Sequence, residues 1–200
     1  TASGCYDIQP VTVTVNSTPT VVIVNPAAVC SPATVNLTLA TVTSGSTAGL
    51  NLTYFTNAAA TAAYATPAAA GAGTYYIKGT NASGCYDVQP VAVTVNSLPT
   101  VVITTPAAVC SPGTVNLTLA AVTTGSTAGL TYTYWTNASA TTVYSTATAA
   151  TAGTYYIKGT NASGCYDIQP VTATINPLPT VVINTPAAVC SPSTVDLTSA

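Results

Sequence analysis

Apolar and polar residues alternate with a period of two along much of this chain. Between residues 35 and 39, Val35, Leu37 and Leu39 fall on one side of the pattern, whereas Asn36 and Thr38 fall on the other. The segments LNLTYFT, GTYYIKGT and VAVTVN alternate in the same way. Because successive side chains of a β-strand point to opposite faces, this pattern predicts strands with one buried face.

Clusters of turn-forming residues separate the alternating segments. SGSTAG follows one strand, and NASG is predicted to close a two-residue hairpin on Ala82 and Ser83. The run TPTVVIVNP holds β-branched residues between prolines and predicts a short edge strand. About seven short strands are expected in each stretch of ~80 residues, which is the pattern of an immunoglobulin-like β-sandwich.

The motif SGCYD begins at residues 3, 83 and 163, so the sequence repeats every 80 residues. Roughly three-quarters of the aligned positions are identical between the two complete repeats. The period divides the chain into the end of one immunoglobulin-like repeat (1–17), two complete repeats (18–97 and 98–177) and the start of a fourth (178–200). We therefore expect an all-β chain of tandem repeats that is a window on a longer array.

One Ala-rich stretch, which begins at Asn57, has the composition of a helix. Its counterpart, which begins at Asn137, has Thr, Ser and Val at several of the alanine positions. We interpret both stretches as loops with a short strand or two, because that structure suits both compositions.

Charged residues make up 3% of the chain, and there is no His. The charged residues are Asp7, Lys78, Asp87, Lys158, Asp167 and Asp196. A nucleic-acid-binding surface needs a basic patch, a calcium site needs several carboxylates, and general acid–base catalysis needs a pair of titratable groups. We therefore expect no enzymatic activity, no cofactor or metal and no nucleic-acid partner. No apolar run approaches the ~20 residues of a membrane-spanning helix.

The cysteines follow the same 80-residue period, with one after AAV and one after SG in each repeat. In chain order they are Cys5, Cys30, Cys85, Cys110, Cys165 and Cys190. There is no C-x-x-C spacing and no His, so disulfides are favoured over a zinc site. Because disulfides persist in oxidising compartments, the chain is expected to be secreted and to lie outside the cell.

Two disulfide pairings stay open at this point. Bonds Cys30–Cys85 and Cys110–Cys165 would close each repeat on itself, as is common in extracellular modules. In an immunoglobulin topology, however, Cys30 and Cys85 lie at opposite poles, further apart than the ~7 Å that disulfide α-carbons allow. A Cys30–Cys165 bond would instead join successive repeats and stiffen the array.

The predicted hairpin places Lys78 opposite Asp87, and likewise Lys158 opposite Asp167. This register predicts a cross-strand salt bridge in each repeat, which would contribute about 0.2–1 kcal/mol. The alternative is an isopeptide crosslink from the lysine to an Asp or Asn, which usually needs a buried neighbouring carboxylate. The sequence has no Glu to supply one.

Two motifs resemble known families. GTYY resembles the immunoglobulin corner in which Gly-x-Tyr opens the sixth strand. VCSPATVNLT with GTYYIKGTNASGC resembles the immunoglobulin-like repeats of large secreted and surface proteins of Bacteroidota, including adhesins associated with gliding motility and type IX secretion. This resemblance implies core aromatic residues at Phe55, Trp135, Tyr75 and Tyr155, with Phe55 where the third strand commonly has Trp.

These observations predict a non-enzymatic extracellular array that forms the stalk or filament of a bacterial surface adhesin or appendage. Its expected partners are neighbouring repeats of the same chain and other copies of the chain in a filament. One alternative is a multivalent module that binds surface glycans through weak sites in each repeat. A further alternative is a set of spacer repeats in a secreted enzyme.

Overall fold

The computed structural model describes residues 4–198, and within them the fold is all-β with short 3₁₀ turns. The first strands along the chain are β1 (Val29–Cys30), β2 (Asn51–Phe55), β3 (Gly73–Thr80), β4 (Tyr86–Val93) and β5 (Val95–Asn96). Their counterparts one repeat later are β6 (Val109–Cys110), β7 (Thr131–Trp135), β8 (Gly153–Thr160), β9 (Tyr166–Ala173) and β10 (Ile175–Asn176). The 3₁₀ turns are Pro67–Ala69, Ala120–Thr123 and Ala147–Ala149.

The chain divides into two compact units. The first contains the residues through Leu98 together with the turn Ala162–Cys165, and the second contains Pro99–Asn161 and the residues from Tyr166 onward. The turn that carries Cys165 therefore groups with the first unit, although it belongs to the second sequence repeat.

In the first unit, β2, β3 and β4 form an antiparallel sheet in the order β2-β3-β4, and β1 pairs parallel with β5. Outside this sheet, Val35 and Ala70 exchange a pair of backbone hydrogen bonds of 2.9 and 2.8 Å. The buried core joins residues of both layers, namely Val35, Leu37, Val42, Ala70, Ile77, Val91 and Val93. The arrangement is a small sandwich.

The second unit repeats this architecture. Its sheet has the order β7-β8-β9, and β10 pairs parallel with β6. Its core contains Ala147 and Tyr155 together with the seven corresponding residues, Val115, Leu117, Val122, Ala150, Ile157, Val171 and Ala173. The 80-residue sequence period is thus a structural period as well.

A tyrosine at the start of the central strand identifies the sandwich type. The Tyr75 hydroxyl donates a hydrogen bond to the Gly71 carbonyl at 3.3 Å, and the Tyr155 hydroxyl donates to the Thr151 carbonyl at 3.2 Å. A tyrosine that opens the sixth strand and bonds the backbone a few residues upstream is the tyrosine corner of immunoglobulin-like domains. With the sheet order, in which β2, β3 and β4 stand as strands C, F and G, it makes each unit immunoglobulin-like.

Two of the predicted strands are not regular strands in the structure. The amides of residues 20–22 bond to side chains, as Val21 N does to Asp87 and Val22 N to Ser46, whereas Val24 N bonds the Val42 carbonyl at 2.9 Å. Residues 35–39 bend, so that Leu39 is 54% exposed and Val42, not Leu39, joins the core. Alternation predicted the buried positions Val35 and Leu37 correctly, but it did not predict the hydrogen-bond partners of the backbone.

The Ala-rich stretch has no α-helix in the structure. It contains the 3₁₀ turn Pro67–Ala69 and isolated bridges that join Phe55 to Ala63 and Val35 to Ala70. The interpretation as loops with minimal strand structure describes it correctly.

Candidate functional site

The candidate site is the pair of chain segments that present cysteines. The first is the end of β1, where Cys30 pairs with Asn96 of β5 and Ser31 N donates a 2.9 Å hydrogen bond to the Asn96 carbonyl. A tight turn follows, in which Ser31–Pro32 is a cis peptide and Ala33 N bonds the Cys30 carbonyl at 2.9 Å. Backbone hydrogen bonds before and after Cys30 thus fix the position of its main chain.

The second cysteine-bearing segment is the turn between the two long strands of the sheet. In the first repeat it spans residues 81–85, where Asn81 N bonds the Cys85 carbonyl at 2.9 Å and Gly84 N bonds the Asn81 carbonyl at 3.0 Å. The Asn81 side-chain oxygen also accepts bonds from Ser83 N and Cys85 N at 3.1 and 3.0 Å. The asparagine therefore fixes the position of the cysteine backbone.

This turn differs from the predicted two-residue hairpin by one residue. Gly84 has φ +81°, and the ladder resumes at Thr80 and Tyr86. The hydrogen bond from Asn81 N to the Cys85 carbonyl leaves residues 82–84 as the loop. A three-residue loop with a glycine in the left-handed region is the type I turn with a G1 bulge. The extra residue shifts the register by one, so Lys78 lies opposite Val88 and Asp87 lies opposite Gly79.

The predicted Lys78–Asp87 and Lys158–Asp167 ion pairs are therefore wrong. A register shift of one residue places the two side chains on opposite faces of the sheet. The Lys78 ammonium lies 3.9 Å from the ring centroid of Tyr86, and that of Lys158 lies 3.7 Å from the ring centroid of Tyr166. Each lysine makes a cation–π contact in place of the predicted salt bridge.

The carboxylate of Asp87 instead holds the first segment of its repeat. Asp87 Oδ2 accepts a 2.9 Å hydrogen bond from Val21 N, and Gln89 Nε2 donates to both carboxylate oxygens at 3.1 and 3.2 Å. The bond from Val21 N, with help from Gln89 and the Val88 amide, holds the pKa of Asp87 below its usual value, although desolvation opposes the shift. The bond recurs in the second repeat, where Val101 N donates to Asp167 Oδ2 at 2.8 Å.

A disulfide joins Cys30 to Cys165, and their α-carbons lie 5.6 Å apart. The bond connects successive sequence repeats across 135 residues. Of the two pairings that the sequence left open, the structure has the one between repeats. The pairings Cys30–Cys85 and Cys110–Cys165 are wrong for this structure, because each would need a sulfur that the Cys30–Cys165 bond already uses.

Cys85 and Cys110 stand one repeat away from Cys165 and Cys30, and Cys5 and Cys190 lie in the flanking fragments. Cys85, Cys110 and Cys190 are free thiols in the structure, with Cys110 and Cys190 exposed and Cys85 half-buried. Cys5 lies exposed in the first fragment. The Cys85 sulfur lies 3.8 Å from the Asn16 carbonyl. Asn81 Nδ2 donates a 3.0 Å bond to the neighbouring Ser17 carbonyl.

The four predicted core aromatics do not share one location. Tyr155 is 8% exposed and belongs to a core, and Tyr75 packs against the other core. In β2 it is Tyr54 that packs against the core, so the neighbouring Phe55 points to the other face of the strand, where it is half-buried. Trp135 takes the same position in β7, and its indole donates to Thr133 at 2.9 Å. The prediction of Phe55 and Trp135 as core residues is thus off by one position, because adjacent residues of a strand face opposite ways.

Two observations bear on ligand binding. A groove of about 380 Å³ lies in the first unit and is lined by aliphatic, Asn, Thr and Pro residues, with no aromatic side chain among them. Within residues 4–198, no group of three or more His, Cys, Asp or Glu side chains is placed to hold a metal.

Over the same residues, no helix has the length and apolarity to cross a membrane.

Neither a protein-family model nor a curated protein matches this chain. Similar solved structures include an I-band fragment of titin, at 11% identity over 66% of this chain and 57% of that chain, with a TM-score of 0.34. Another is the insect immune protein hemolin, at 13% identity over 79% of this chain and 47% of that chain, with a TM-score of 0.35. The chain thus spans about half the length of these structures, and likeness at this level carries no functional conclusion.

Proposed function

We propose that this protein is a non-enzymatic, extracellular structural array that bears mechanical load in a stalk or filament at a bacterial surface, as in adhesins. The observation that carries the proposal is the Cys30–Cys165 disulfide, which links successive repeats covalently. A bond within one repeat would stabilise that repeat only. A bond between repeats transmits tension from one repeat to the next without passing through the strands between them.

The composition supports the same function. Disulfides persist in oxidising compartments, which favours secretion. With 3% charged residues, surface contacts depend little on ion pairs and so change little with salt. High identity between repeats suits a protein selected for length and mechanics, because every repeat then does the same work.

Pulling a single chain by its two ends tests the load-bearing function. In the oxidised protein the 135-residue loop is bypassed by the disulfide, so force cannot extend it. Reduction should add roughly 450–490 Å of extension, at about 3.3–3.6 Å for each residue of the released loop. The Cys30→Ser variant should show the longer extension without reductant, and the Cys110→Ser variant should behave as the parent.

The opposite result would be equal extension of the oxidised and reduced chains. That result would mean that the disulfide bears no tension between the repeats. A smaller increase in two steps would indicate bonds inside each repeat, and the repeats would then be independent domains on a tether.

A further inference from the structure

The sheet of the second unit presents aromatic side chains on the face away from its core. Trp135, Tyr156 and Pro170 form one row across the three strands, because Tyr156 pairs with Trp135 on one side and with Pro170 on the other. Paired residues of neighbouring antiparallel strands lie on the same face of a sheet. Trp135 and Tyr156 are half-buried and Pro170 is exposed, so this row lies at the surface of the unit.

The next row along the strands carries the positive charge of the repeat. Lys158 pairs with Thr133 and with Ile168, so it lies on the same face as Tyr156, two residues along β8. Its ammonium group lies 3.7 Å from the ring centroid of Tyr166, which is 49% exposed. The outer aromatic face is the surface formed by Trp135, Tyr156, Lys158, Tyr166, Ile168 and Pro170.

The first unit has the same surface. The corresponding side chains, in the same register, are Phe55, Tyr76, Lys78, Tyr86, Val88 and Pro90. The contact between the lysine and the tyrosine recurs as well, at 3.9 Å. Each complete repeat therefore has one outer aromatic face, and the change from Phe to Trp keeps its aromatic character.

The two signs of charge lie on opposite faces of the sheet. The carboxylate of Asp167 accepts a 2.8 Å hydrogen bond from Val101 N, on the side of the first segment of its repeat. Asp167 pairs with Gly159 and Lys158 with Ile168, so the aspartate and the lysine point in opposite directions. The aspartate of the hairpin therefore does not neutralise Lys158. The outer aromatic face is cationic, although the chain has a net charge of −2.

The indole of Trp135 is fixed along this face. Its N–H donates a 2.9 Å hydrogen bond to the Thr133 hydroxyl, two residues earlier on β7. The polar group of the indole is thus satisfied within the protein, and its flat ring is the part that a ligand would contact. Aromatic rings of this kind pack against the C–H faces of sugar rings.

A second copy of the chain suits this face poorly. Two outer aromatic faces packed together would bury two ammonium groups and no carboxylate, and a buried charge without a partner is costly. A ligand that carries carboxylates supplies the missing charge, and charge complementarity of this kind favours its binding. The composition of the face therefore favours an anionic ligand with flat apolar surfaces.

We propose that the outer aromatic face binds polysaccharides that contain uronic acids. A sugar ring stacks on Trp135 and Tyr156, and its carboxylate pairs with the ammonium group of Lys158. A polymer presents the same sugar many times, so a weak site in each repeat gains strength from the array. This binding goes beyond load bearing and does not depend on the Cys30–Cys165 disulfide.

Trp135 is the one tryptophan of the chain, so its fluorescence reports on this face directly. The 200-residue protein is titrated with an oligomer of β-linked glucuronic acid and, separately, with the matching oligomer of glucose, which differs only in lacking the carboxylates. The glucuronic acid oligomer should cause a saturable change in emission, with an affinity about twofold to fivefold higher than that of the glucose oligomer. Added salt should reduce this difference.

Three variants assign the binding to the face. Lys158→Gln should weaken binding of the glucuronic acid oligomer by about twofold to fivefold and leave that of the glucose oligomer unchanged. Tyr156→Ala should weaken both by about threefold to tenfold. Leu119→Ala is the control and should bind as the parent does, because Leu119 is 55% exposed but lies outside the sheet. Urea unfolding of each variant shows that it is folded, and Lys158→Gln keeps the test decisive if Tyr156→Ala is not.

Three results would overturn the proposal. One is emission that does not change with either oligomer, and another is equal affinity for the two oligomers at low salt. The third is a dimer of the parent in sedimentation that Tyr156→Ala abolishes, which would assign the face to a second copy of the chain. None of these variants alters a cysteine, so the load-bearing function would still stand or fall on the extension of the oxidised and reduced chains.

Discussion

Asp87 joins the first segment of its repeat to β4 by a hydrogen bond. Its carboxylate accepts a hydrogen bond from Val21 N, 66 residues earlier in the sequence. No local pattern in the sequence predicts that contact. The sequence showed only that an aspartate recurs in SGCYD when charge is otherwise rare. The predicted two-residue hairpin pairs this aspartate with Lys78 in a salt bridge. That pairing depends on a register that the structure does not have.

Replacement of Asp87 by Asn should destabilise the first repeat. The neutral amide loses the charge that strengthens the bond from Val21 N, and a hydrogen bond to a charged group is worth about 1.5–3 kcal/mol. Urea unfolding should show a lower midpoint. Asp7→Asn is the matched control, because Asp7 lies in the same motif but is exposed and bonds Gln9. An equal shift in both variants would contradict this role.

The same carboxylate predicts a dependence of stability on acid. The pKa of Asp87 is lower in the folded state than its ordinary value of 3.8, so the unfolded state binds a proton first as pH falls. Its contribution is complete above about pH 4 and is lost as pH falls through the lower folded pKa. Melting temperatures measured from pH 5 to pH 2 should fall less steeply for Asp87→Asn than for the parent. Parallel curves would contradict the assignment.

Gly79 is required for another reason, the close approach of the first segment to β3. A Cβ at this position would lie 2.6 Å from Val21 Cγ2 and 2.7 Å from Leu50 Cδ1. Gly79→Ala should therefore destabilise by about 1–3 kcal/mol, the usual range for overpacking. Gly71→Ala is the control, since a Cβ there meets no atom within 4 Å. Denaturant unfolding should separate the two variants, and equal stability would contradict the packing argument.

At the scale of elements, the two long strands of each repeat were predicted well and the short ones were not. GTYYIKGT (β3) is regular because it pairs along both of its edges, with β2 on one side and with β4 on the other. In residues 20–22 the backbone amides donate hydrogen bonds to side chains, with Val21 N bonding Asp87 and Val22 N bonding Ser46. Periodicity reports which face is buried, and it carries no information on whether the bonding partner is a strand or a side chain.

The turn between β3 and β4 shows a second limit. NASG and the following Cys85 contain the signal for a loop of three residues, since Gly84 occupies the left-handed region. Both a two-residue and a three-residue hairpin accept a glycine near this position. The choice between them moves every later residue to the other face, which is why the ion-pair prediction failed.

The tyrosine corner gives the prediction at this scale. Tyr75→Phe removes the hydroxyl that bonds the Gly71 carbonyl and should destabilise the first repeat by about 0.5–1.5 kcal/mol. Tyr86→Phe is the comparison, because the Tyr86 ring is 54% exposed. Thermal unfolding followed by near-ultraviolet circular dichroism measures both. If Tyr86→Phe were the more destabilising change, the corner would not have the role described.

At the scale of the whole molecule, the repeat period and the disulfide together define the protein. The sequence predicted the period, the fold class and the two alternative pairings. It could not choose between those pairings, because the choice depends on where the cysteine-bearing segments lie in three dimensions. The Cys30–Cys165 bond should stabilise the folded chain by about 2–5 kcal/mol, given the length of the loop that it closes.

A non-reduced peptide map by mass spectrometry tests the central claim most directly. The cysteine peptides can be told apart, because Cys30 precedes SPA and Cys110 precedes SPG. Cys85 begins CYDV, Cys165 begins CYDIQPVTA and Cys5 begins CYDIQPVTV. The account predicts a peptide that joins Cys30 to Cys165. Peptides that join Cys30 to Cys85 and Cys110 to Cys165 would contradict it, and the chain would then be a series of separately closed domains.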